Sequence, residues 1–272
     1  ATKVIKDGQD ITISCAEGNI GVVYGGILKW QEKEVDLKNL KNPKTEPMLI
    51  LADPEQAFKL SFYPSSGVGL MRLEFVINNS IQIHPMALKH FDKINDIEVR
   101  EKIEKLTHHY PNKEEYFVNK LAEGIATIAA AFYPKDVIVR TSDFKSNEYA
   151  NLIGGHQFEP IESNPMIGFR GASRYYHPKY QDAFELECKA LKMVREDMGL
   201  KNVKIMIPFC RTLKEADKVV KLIEKNGLKR GENNLQLYMM TEIPNNVILA
   251  EEFAQYFDGF SIGSNDLTQL TL

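Results

Sequence analysis

The fold is decided by the stretch FDGFSIGSNDLTQL, residues 257–270. Two apolar residues, Phe260 and Ile262, suit the interior of a buried β-strand. The Gly-Ser pair that follows lets backbone N–H groups approach a ligand closely. Asn265 and Asp266 then place an amide and a carboxylate at the carboxyl end of that strand. The stretch therefore predicts a buried strand that delivers polar groups to a binding site.

A second predicted strand, over residues 235–240, ends in a similar way, in the sequence TEIP. Because parallel neighbours bring their carboxyl ends to one edge of a sheet, we expect Glu242 and Asp266 to lie on the same rim. One or two carboxylates, with positions left open for substrate oxygens, are typical of Mg²⁺ sites. The two strands therefore predict a Mg²⁺ site formed by Glu242 and Asp266.

From residue 48 onwards the chain alternates predicted strands with predicted helices. The candidate strands are 48–51, 69–75, 137–140, 166–170, 203–208, 235–240 and 257–262. Several are continuous apolar runs, which are typical of parallel strands buried on both faces. This pattern predicts an α/β fold, a (β/α)₈ barrel of the TIM type. Since only seven strands are found, we expect the eighth to follow Leu272 and the chain to be a piece of a longer polypeptide.

Three regions are predicted along the chain. Residues 1–35 are β-rich, with two strands around a turn at 16–19, and are too few to form a domain alone. Residues 36–47 are charged and are predicted to be a linker, and residues 48–272 form the incomplete barrel. A helical insertion is predicted over residues 82–133, since this stretch is too long for a simple crossover.

The composition excludes several classes of function. A net charge of -3 and a pI near 6.1 give no electrostatic argument for a nucleic-acid partner. No apolar run approaches the roughly 20 residues that span a bilayer, so no membrane partner is expected. The cysteines, Cys15, Cys188 and Cys210, are isolated from one another, which favours a reducing cytoplasm over disulfides or a zinc site.

Arginines follow three of the predicted strands. Arg72, Arg140 and Arg170 are each expected at a carboxyl end, where the active site of such a barrel lies. Three guanidiniums that face the carboxylates of Glu242 and Asp266 predict an anionic substrate bound through a metal ion. The alternative is that Arg170 and Glu242 form a purely structural ion pair.

Three segments carry a resemblance to a known family. They are residues 258–272, RTSDFKSNEY at 140–149 and NPMIGFRG at 164–171. Together they resemble the phosphoenolpyruvate-utilising enzymes, and the likeness covers essentially the whole chain with its motifs in the family's order. The second and third segments are similar in particular to the branch that makes AMP, phosphoenolpyruvate and phosphate from ATP, pyruvate and water.

The resemblance implies a role for each residue of the rim. Glu242 and Asp266 match the family's Mg²⁺ ligands, and pyruvate would chelate the ion through its carboxylate and keto oxygen. The arginines match residues that bind the substrate and the transferring phosphoryl group. Backbone N–H groups over 263–265 would contact the substrate carboxylate. The residues implied to bind substrate are Arg72, Arg140, Arg170, Glu242, Gly263, Ser264, Asn265 and Asp266.

The family's catalytic histidine and cysteine have no counterpart in this sequence. Residues 1–35 resemble the tail of the swivelling phosphohistidine domain, and the proton-donating cysteine follows the eighth strand. The resemblance therefore implies that the chain alone is inactive, that ATP acts only through a separate nucleotide-binding domain, and that a homodimer is a possible assembly. Two alternatives stay open: a phosphotransferase-system enzyme that passes phosphate to a carrier protein, and a non-catalytic association module.

Overall fold

The computed structural model describes residues 4–17, 20–33, 40–41 and 43–272 of the chain. Of the linker predicted over residues 36–47, residues 36–39 and 42 lie outside the described residues. Contacts within the chain divide it into two compact units, Ala1–Lys41 and Asn42–Leu272.

The smaller unit contains a β-hairpin. Strand β1 (Ile11–Ser14) pairs antiparallel with β2 (Val22–Gly25). The hydroxyl of Thr12 donates to the carbonyl of Gly26 at 2.8 Å and accepts the N–H of Leu28 at 2.9 Å, so it ties down the end of the hairpin. The two strands predicted within residues 1–35 are thus confirmed.

A six-stranded parallel sheet lies at the centre of the larger unit, counted over the described residues. Its strands are β3 (Leu49–Leu51), β4 (Gly67–Arg72), β5 (Asp136–Arg140), β6 (Val203–Ile207), β7 (Leu237–Thr241) and β8 (Gly259–Ile262). Each strand pairs in parallel with the next one along the chain. The predicted α/β class is confirmed, and the sequential strand order is the one that α/β barrels use.

Helices separate the strands along the chain. Those of the described part are α1 (Ala57–Ser61), α2 (Leu73–Val76), α3 (Pro85–Lys89), α4 (Ile97–Thr107), α5 (Lys113–Phe132), α6 (Ser146–Ala150), α7 (Ala172–Tyr175), α8 (Gln181–Lys192), α9 (Leu213–Lys225), α10 (Pro244–Ile248), α11 (Ala250–Phe253) and α12 (Ser264–Thr271). Helices α3 to α5 form the predicted insertion. Helix α5 begins where the side chain of Asn112 accepts the N–H of Glu115 at 2.8 Å. Across the described helices, none is long and apolar enough to cross a membrane.

The strand predicted over residues 166–170 is wrong, because this segment is a loop. The N–H of Phe169 donates to the carboxylate of Glu162 at 2.9 Å rather than to a neighbouring strand. The guanidinium of Arg211 donates hydrogen bonds to the carbonyls of Ile167 and Gly168 at 3.2 and 2.6 Å. Side chains therefore satisfy the backbone groups that a β-ladder would use, and the apolar composition alone suggested a strand.

The last strand, β8, is also less buried than its sequence predicts. Phe260 is 40% exposed and Ile262 is 73% exposed. Strand β8 is an edge strand of the described sheet and pairs only with β7. Apolar residues on an edge strand lack one set of neighbours, so a strand-like sequence does not guarantee burial here.

The two faces of the sheet have different roles. On the face covered by helices, Val139 of β5 is fully buried in the main core. Successive side chains alternate between faces, so Ile138 and Arg140 point to the opposite side. There Ile138 packs with Met206, while Arg140 is the register partner of Arg72 on β4. The pairing of β4 with β5 therefore sets two arginines side by side at the carboxyl ends of the strands.

Candidate functional site

A polar cleft of about 480 Å³ opens at the carboxyl ends of β4 and β5. Its lining includes the predicted residues Arg72, Arg140, Arg170 and Asp266. It also includes Glu74, Phe75, Asn78, Asp143, Phe144, Lys145, Glu148 and Asn151. The predicted residues Glu242 and 263–265 are not among the described lining residues, and the contacts below relate them to the cleft.

Asp143 holds two of the predicted arginines together. Its carboxylate accepts two hydrogen bonds from Arg170, at 2.8 Å from Nε and 2.9 Å from Nη2. A nitrogen of Arg140 lies 3.3 Å from the same carboxylate. Asp143 was not predicted as a site residue, although its place three residues after Arg140, in the loop that leaves β5, was a usable signal.

Glu74 supports the same arrangement from α2. One of its carboxylate oxygens accepts a hydrogen bond from Arg140 at 3.2 Å and another from the N–H of Asp143 at 2.5 Å. Burial disfavours the charge on Arg140, but Glu74 and Asp143 outweigh this effect and raise the pKa of the guanidinium above its ordinary value. Arg140 is therefore a fixed positive charge in the wall of the cleft.

Arg72 lines the cleft with part of its guanidinium unsatisfied by the residues that the structure describes. Its Nε is buried and has no hydrogen-bond partner among the described residues. It is also free of any ion pair within the part of the chain that the structure describes. A buried, unsatisfied donor is costly in a folded protein, so a guanidinium in this state is suited to an anionic ligand.

Glu242, directly after β7, is fully buried. Its Oε1 accepts the N–H of Phe209 at 2.6 Å, whereas Oε2 is buried without a hydrogen-bond partner among the described residues. Burial, together with the negative charge of Asp143, raises the pKa of Glu242 to about 7. The charge of Asp266 acts on the pKa of Glu242 in the same direction. A desolvated carboxylate with an unused oxygen is suited to a cation.

Gly263 allows the end of β8 to approach Glu242. A Cβ at this position would lie 2.8 Å from both Cβ and Oε2 of Glu242, closer than real side chains come. The N–H of Gly263 is already donated to the carbonyl of Thr241 at 3.0 Å, as part of the strand pairing. Ser264 and Asn265 begin α12, where first-turn N–H groups have no partner within the helix.

Arg170 and Glu242 do not form the ion pair that was the structural alternative. Arg170 is bound to Asp143 and, through Nη1 at 2.8 Å, to Asp266. Within the described residues no ion pair joins it to Glu242. Instead, its guanidinium lies 4.3 Å from the ring centroid of Phe209, whose N–H contacts Glu242.

The carboxylates of Glu242 and Asp266 are suited to bind a metal ion only if oxygens of a bound ligand complete its coordination. The described residues contain no group of three or more His, Cys, Asp or Glu side chains that could hold an ion. Mg²⁺, however, is commonly held by one or two carboxylates together with substrate oxygens and water. The unused oxygen of Glu242 and the nearby carboxylate of Asp266 fit that mode. Cys210 does not contribute, since burial raises the pKa of its thiol to about 12.

A buried polar network lies behind the cleft. Glu187 of α8 accepts the N–H of Ser142 at 3.0 Å and also the hydroxyl of that serine. The hydroxyl of Tyr175 donates to the carbonyl of Ser142 at 2.8 Å, and Tyr149 contacts its side chain at 2.6 Å. Every polar group of Ser142 is thus bound, which fixes the loop immediately before Asp143.

We expect Glu187→Gln to flatten the pH dependence of stability. Burial raises the pKa of Glu187 to about 7, from an ordinary value of 4.5. Because the folded state binds this proton more tightly, the stability it contributes is complete below about pH 4.5 and is lost as the pH rises through about 7. The loss is on the order of 3 kcal/mol. Urea unfolding at pH 5 and pH 8 measures it.

The matched control is Glu185→Gln, on the same helix and partly exposed. It should keep the parent difference in stability between the two pH values. If Glu187→Gln also keeps that difference, Glu187 does not titrate in this range.

The cleft, with its arginines and carboxylates at the ends of parallel strands, defines the class to which the chain belongs. Residues 30–272 match the family of PEP-utilising enzymes, in its PEP-binding domain, and the chain belongs to this family. Over its whole length it is 59% identical to phosphoenolpyruvate synthase of Synechocystis sp., 55% to that of Neisseria meningitidis and 52% to that of Escherichia coli. The chain spans about one third of the length of these relatives, 33%, 34% and 34% respectively.

Proposed function

We propose that this chain is the part of a phosphoenolpyruvate synthase that binds pyruvate and phosphoenolpyruvate. One observation carries the proposal: Arg72, whose buried Nε has no hydrogen-bond partner among the described residues, lies in register with Arg140 in a cleft that also contains Asp266. Unsatisfied positive charge in a polar cleft suits a carboxylate or phosphoryl group. The name of the matched domain and the names of the relatives support phosphoenolpyruvate as a ligand, and the family resemblance implies pyruvate as the other.

Each residue of the site is proposed to have one task. Arg72 and Arg140 bind the substrate carboxylate and the transferring phosphoryl group, and Arg170 keeps Asp266 in place through its hydrogen bond. N–H groups at the start of α12, at Ser264 and Asn265, bind the substrate carboxylate.

Glu242 and Asp266 would hold Mg²⁺. The unused oxygen of Glu242 and its raised pKa support this assignment. Bound there, Mg²⁺ supplies Lewis-acid polarisation of the substrate's carbonyl oxygen. Asp143 forms ion pairs with both Arg140 and Arg170 and so fixes the positions of these charges. Little reorganisation of the charged side chains is therefore needed during the reaction.

For the whole protein we propose that it converts ATP, pyruvate and water to AMP, phosphoenolpyruvate and phosphate. This is the reaction of a phosphotransferase with paired acceptors (pyruvate, water dikinase). The phosphohistidine, the proton-donating cysteine and the ATP site would belong to other parts of the parent protein, so these 272 residues alone are proposed to be inactive. The coverage of about one third of each relative is compatible with that division.

The proposed layout places residues 1–35 in the swivelling domain, 36–47 in a linker and 48–272 in the pyruvate/phosphoenolpyruvate-binding barrel, to which the described residues contribute six parallel strands. The sequential parallel order of β3 to β8 supports a barrel arrangement, since it is the strand order that α/β barrels use. We also propose a cytoplasmic location, which the isolated cysteines favour, and a homodimer, which the family resemblance implies. Sedimentation of the parent protein over a range of concentrations would test the homodimer, which a monomer throughout would exclude.

The proposed site is tested by calorimetric titration of the chain with oxalate, a stable mimic of enolpyruvate. The titration is done once in the presence of Mg²⁺ and once in the presence of EDTA. We expect Mg²⁺-dependent binding that Arg72→Met weakens by about 30-fold, the equivalent of ~2 kcal/mol for a charged hydrogen bond. The melting temperature should not fall, because Arg72 leaves its buried Nε unsatisfied among the described residues.

The control variant is Arg100→Met. Arg100 lies on α4 and donates to the carbonyls of Phe91 and Ile94, away from the cleft. It should bind oxalate like the parent chain. Oxalate binding that is the same with EDTA, or that Arg72→Met leaves unchanged, would count against the proposed site.

A further inference from the structure

The loop that carries Arg170 lacks the support that a strand would have. Residues 166–170 make no ladder with the sheet, yet the guanidinium of Arg170 must reach Asp143 and Asp266 at hydrogen-bond distance. A long side chain on an unsupported loop would lose this position easily, since each rotatable bond adds entropy. Something outside the loop must therefore hold its main chain.

Arg211 holds it, from the loop that follows β6. Its Nη1 donates to the carbonyl of Arg170 at 3.1 Å and to the hydroxyl of Ser173 at 2.8 Å. Its Nη2 donates to the carbonyls of Gly168 and Ile167 at 2.6 and 3.2 Å. One guanidinium thus binds four acceptors over residues 167–173, which lie on both sides of Arg170.

Phe209 connects the same guanidinium to the carboxylate side of the site. Its ring centroid lies 4.3 Å from the guanidinium of Arg170 and 4.7 Å from that of Arg211. Its N–H donates to Glu242. The loop approaches so closely that a Cβ on Gly171, where φ is +59°, would lie 2.5 Å from Cβ of Phe209. Arg211, Phe209 and Arg170 therefore form one packed unit.

We propose that Arg211 is a positioning residue for the pyruvate site: its guanidinium replaces the missing β-ladder and fixes Arg170 between Asp143 and Asp266. The inference rests on the proposed function of the cleft and adds a residue to it. Lysine could not substitute, because an ammonium group lacks the planar, five-donor fork that binds several carbonyls at once.

The chain offers a matched control in Arg195. Its guanidinium also binds backbone carbonyls, those of Lys201, Val203 and Asn233, but at the amino end of β6, opposite to the cleft. Arg195→Lys removes the same kind of fork from a position that is more deeply buried than that of Arg211, so it is a stringent control for damage to the fold. Comparing the two variants separates the positioning of Arg170 from general support of the fold.

The test uses Arg211→Lys and Arg195→Lys in the 272-residue chain, titrated with oxalate in the presence of Mg²⁺. We expect Arg211→Lys to bind oxalate about 10-fold more weakly, the size of effect seen when outer-shell supports are lost. Arg195→Lys should bind as the parent does, even if its melting temperature falls further. Equal affinity for Arg211→Lys and the parent would overturn the inference, as would an equal loss in both variants.

A double-mutant cycle with Arg170→Lys tests the route of the effect. If Arg211 acts through Arg170, Arg211→Lys should cost little further affinity once Arg170 is replaced. Full additivity would overturn the positioning role.

Hydrogen exchange of the amides over 166–171 provides a readout that does not depend on oxalate. Arg211→Lys should speed exchange there by about 10-fold or more, while Arg195→Lys should not. If the parent chain fails to bind oxalate, the proposed function fails, and the exchange data still decide whether Arg211 holds the loop. Unchanged exchange over 166–171 would overturn the inference on its own.

Discussion

Asp143→Ala is expected to lower the free energy of unfolding by about 3 kcal/mol, the lower end of the cost of breaking a buried ion pair. The carboxylate binds Arg170 at 2.8 and 2.9 Å and lies 3.3 Å from Arg140. Its removal leaves two nearly buried guanidiniums with fewer counter-charges. The value is at the low end because Glu74 still binds Arg140 and Asp266 still binds Arg170.

The same variant is expected to lose Mg²⁺-dependent oxalate binding. Without Asp143, two like charges in the wall of the cleft repel each other and lose the geometry that the ligand requires. Urea unfolding and calorimetry measure the two effects. Asp217→Ala is the control, because Asp217 forms an exposed pair with Lys221, and exposed pairs of this kind contribute little to stability. A loss of stability no larger than that of the control would mean that Asp143 is not the bridge.

Glu242→Gln is expected to separate stability from binding. Its Oε2 is buried without a partner among the described residues, and burial raises the pKa of the carboxyl to about 7. Removing this charge should therefore leave the melting temperature unchanged or raise it, as is common at functional sites. Loss of a metal ligand should weaken Mg²⁺-dependent oxalate binding by about 100-fold or more.

Two further variants serve as comparisons for Glu242→Gln. Asp266→Asn should weaken binding in the same way, since it alters the other carboxylate. Glu232→Gln changes an exposed carboxylate paired with Lys229 and should affect neither property. A large fall in stability for Glu242→Gln with intact binding would assign Glu242 a structural role instead.

Much of the fold could be predicted because its signals are local. The strands and the helices of the insertion follow from apolar runs and caps such as Asn112, which acts within three residues. The convergence of Arg72 and Arg140 could also be predicted, because register partners on parallel strands end at the same edge. Arg170 lines the same cleft, although the strand predicted to carry it is a loop.

The supporting residues could not be predicted, because their partners are distant in sequence. Glu74 contacts Asp143 across 69 positions, and Glu187 contacts Ser142 across 45. No periodicity or local motif encodes such pairs. The prediction of a strand over 166–170 was wrong for the same reason. The side chain of Arg211, which binds the carbonyls of this loop, lies more than 40 positions away in the sequence.

The most direct test of the site is crystallographic. Crystals of the chain grown with oxalate and Mn²⁺, which oxygen ligands accept in place of Mg²⁺, would reveal the ion by its anomalous scattering. We expect one strong peak within coordination distance of Glu242 and Asp266, with one oxygen of each oxalate carboxylate on the same ion and the remaining oxalate oxygens facing Arg72 and Arg140. A fully occupied Mn²⁺ and oxalate bound elsewhere, with these two carboxylates free of both, would contradict the proposed pyruvate site.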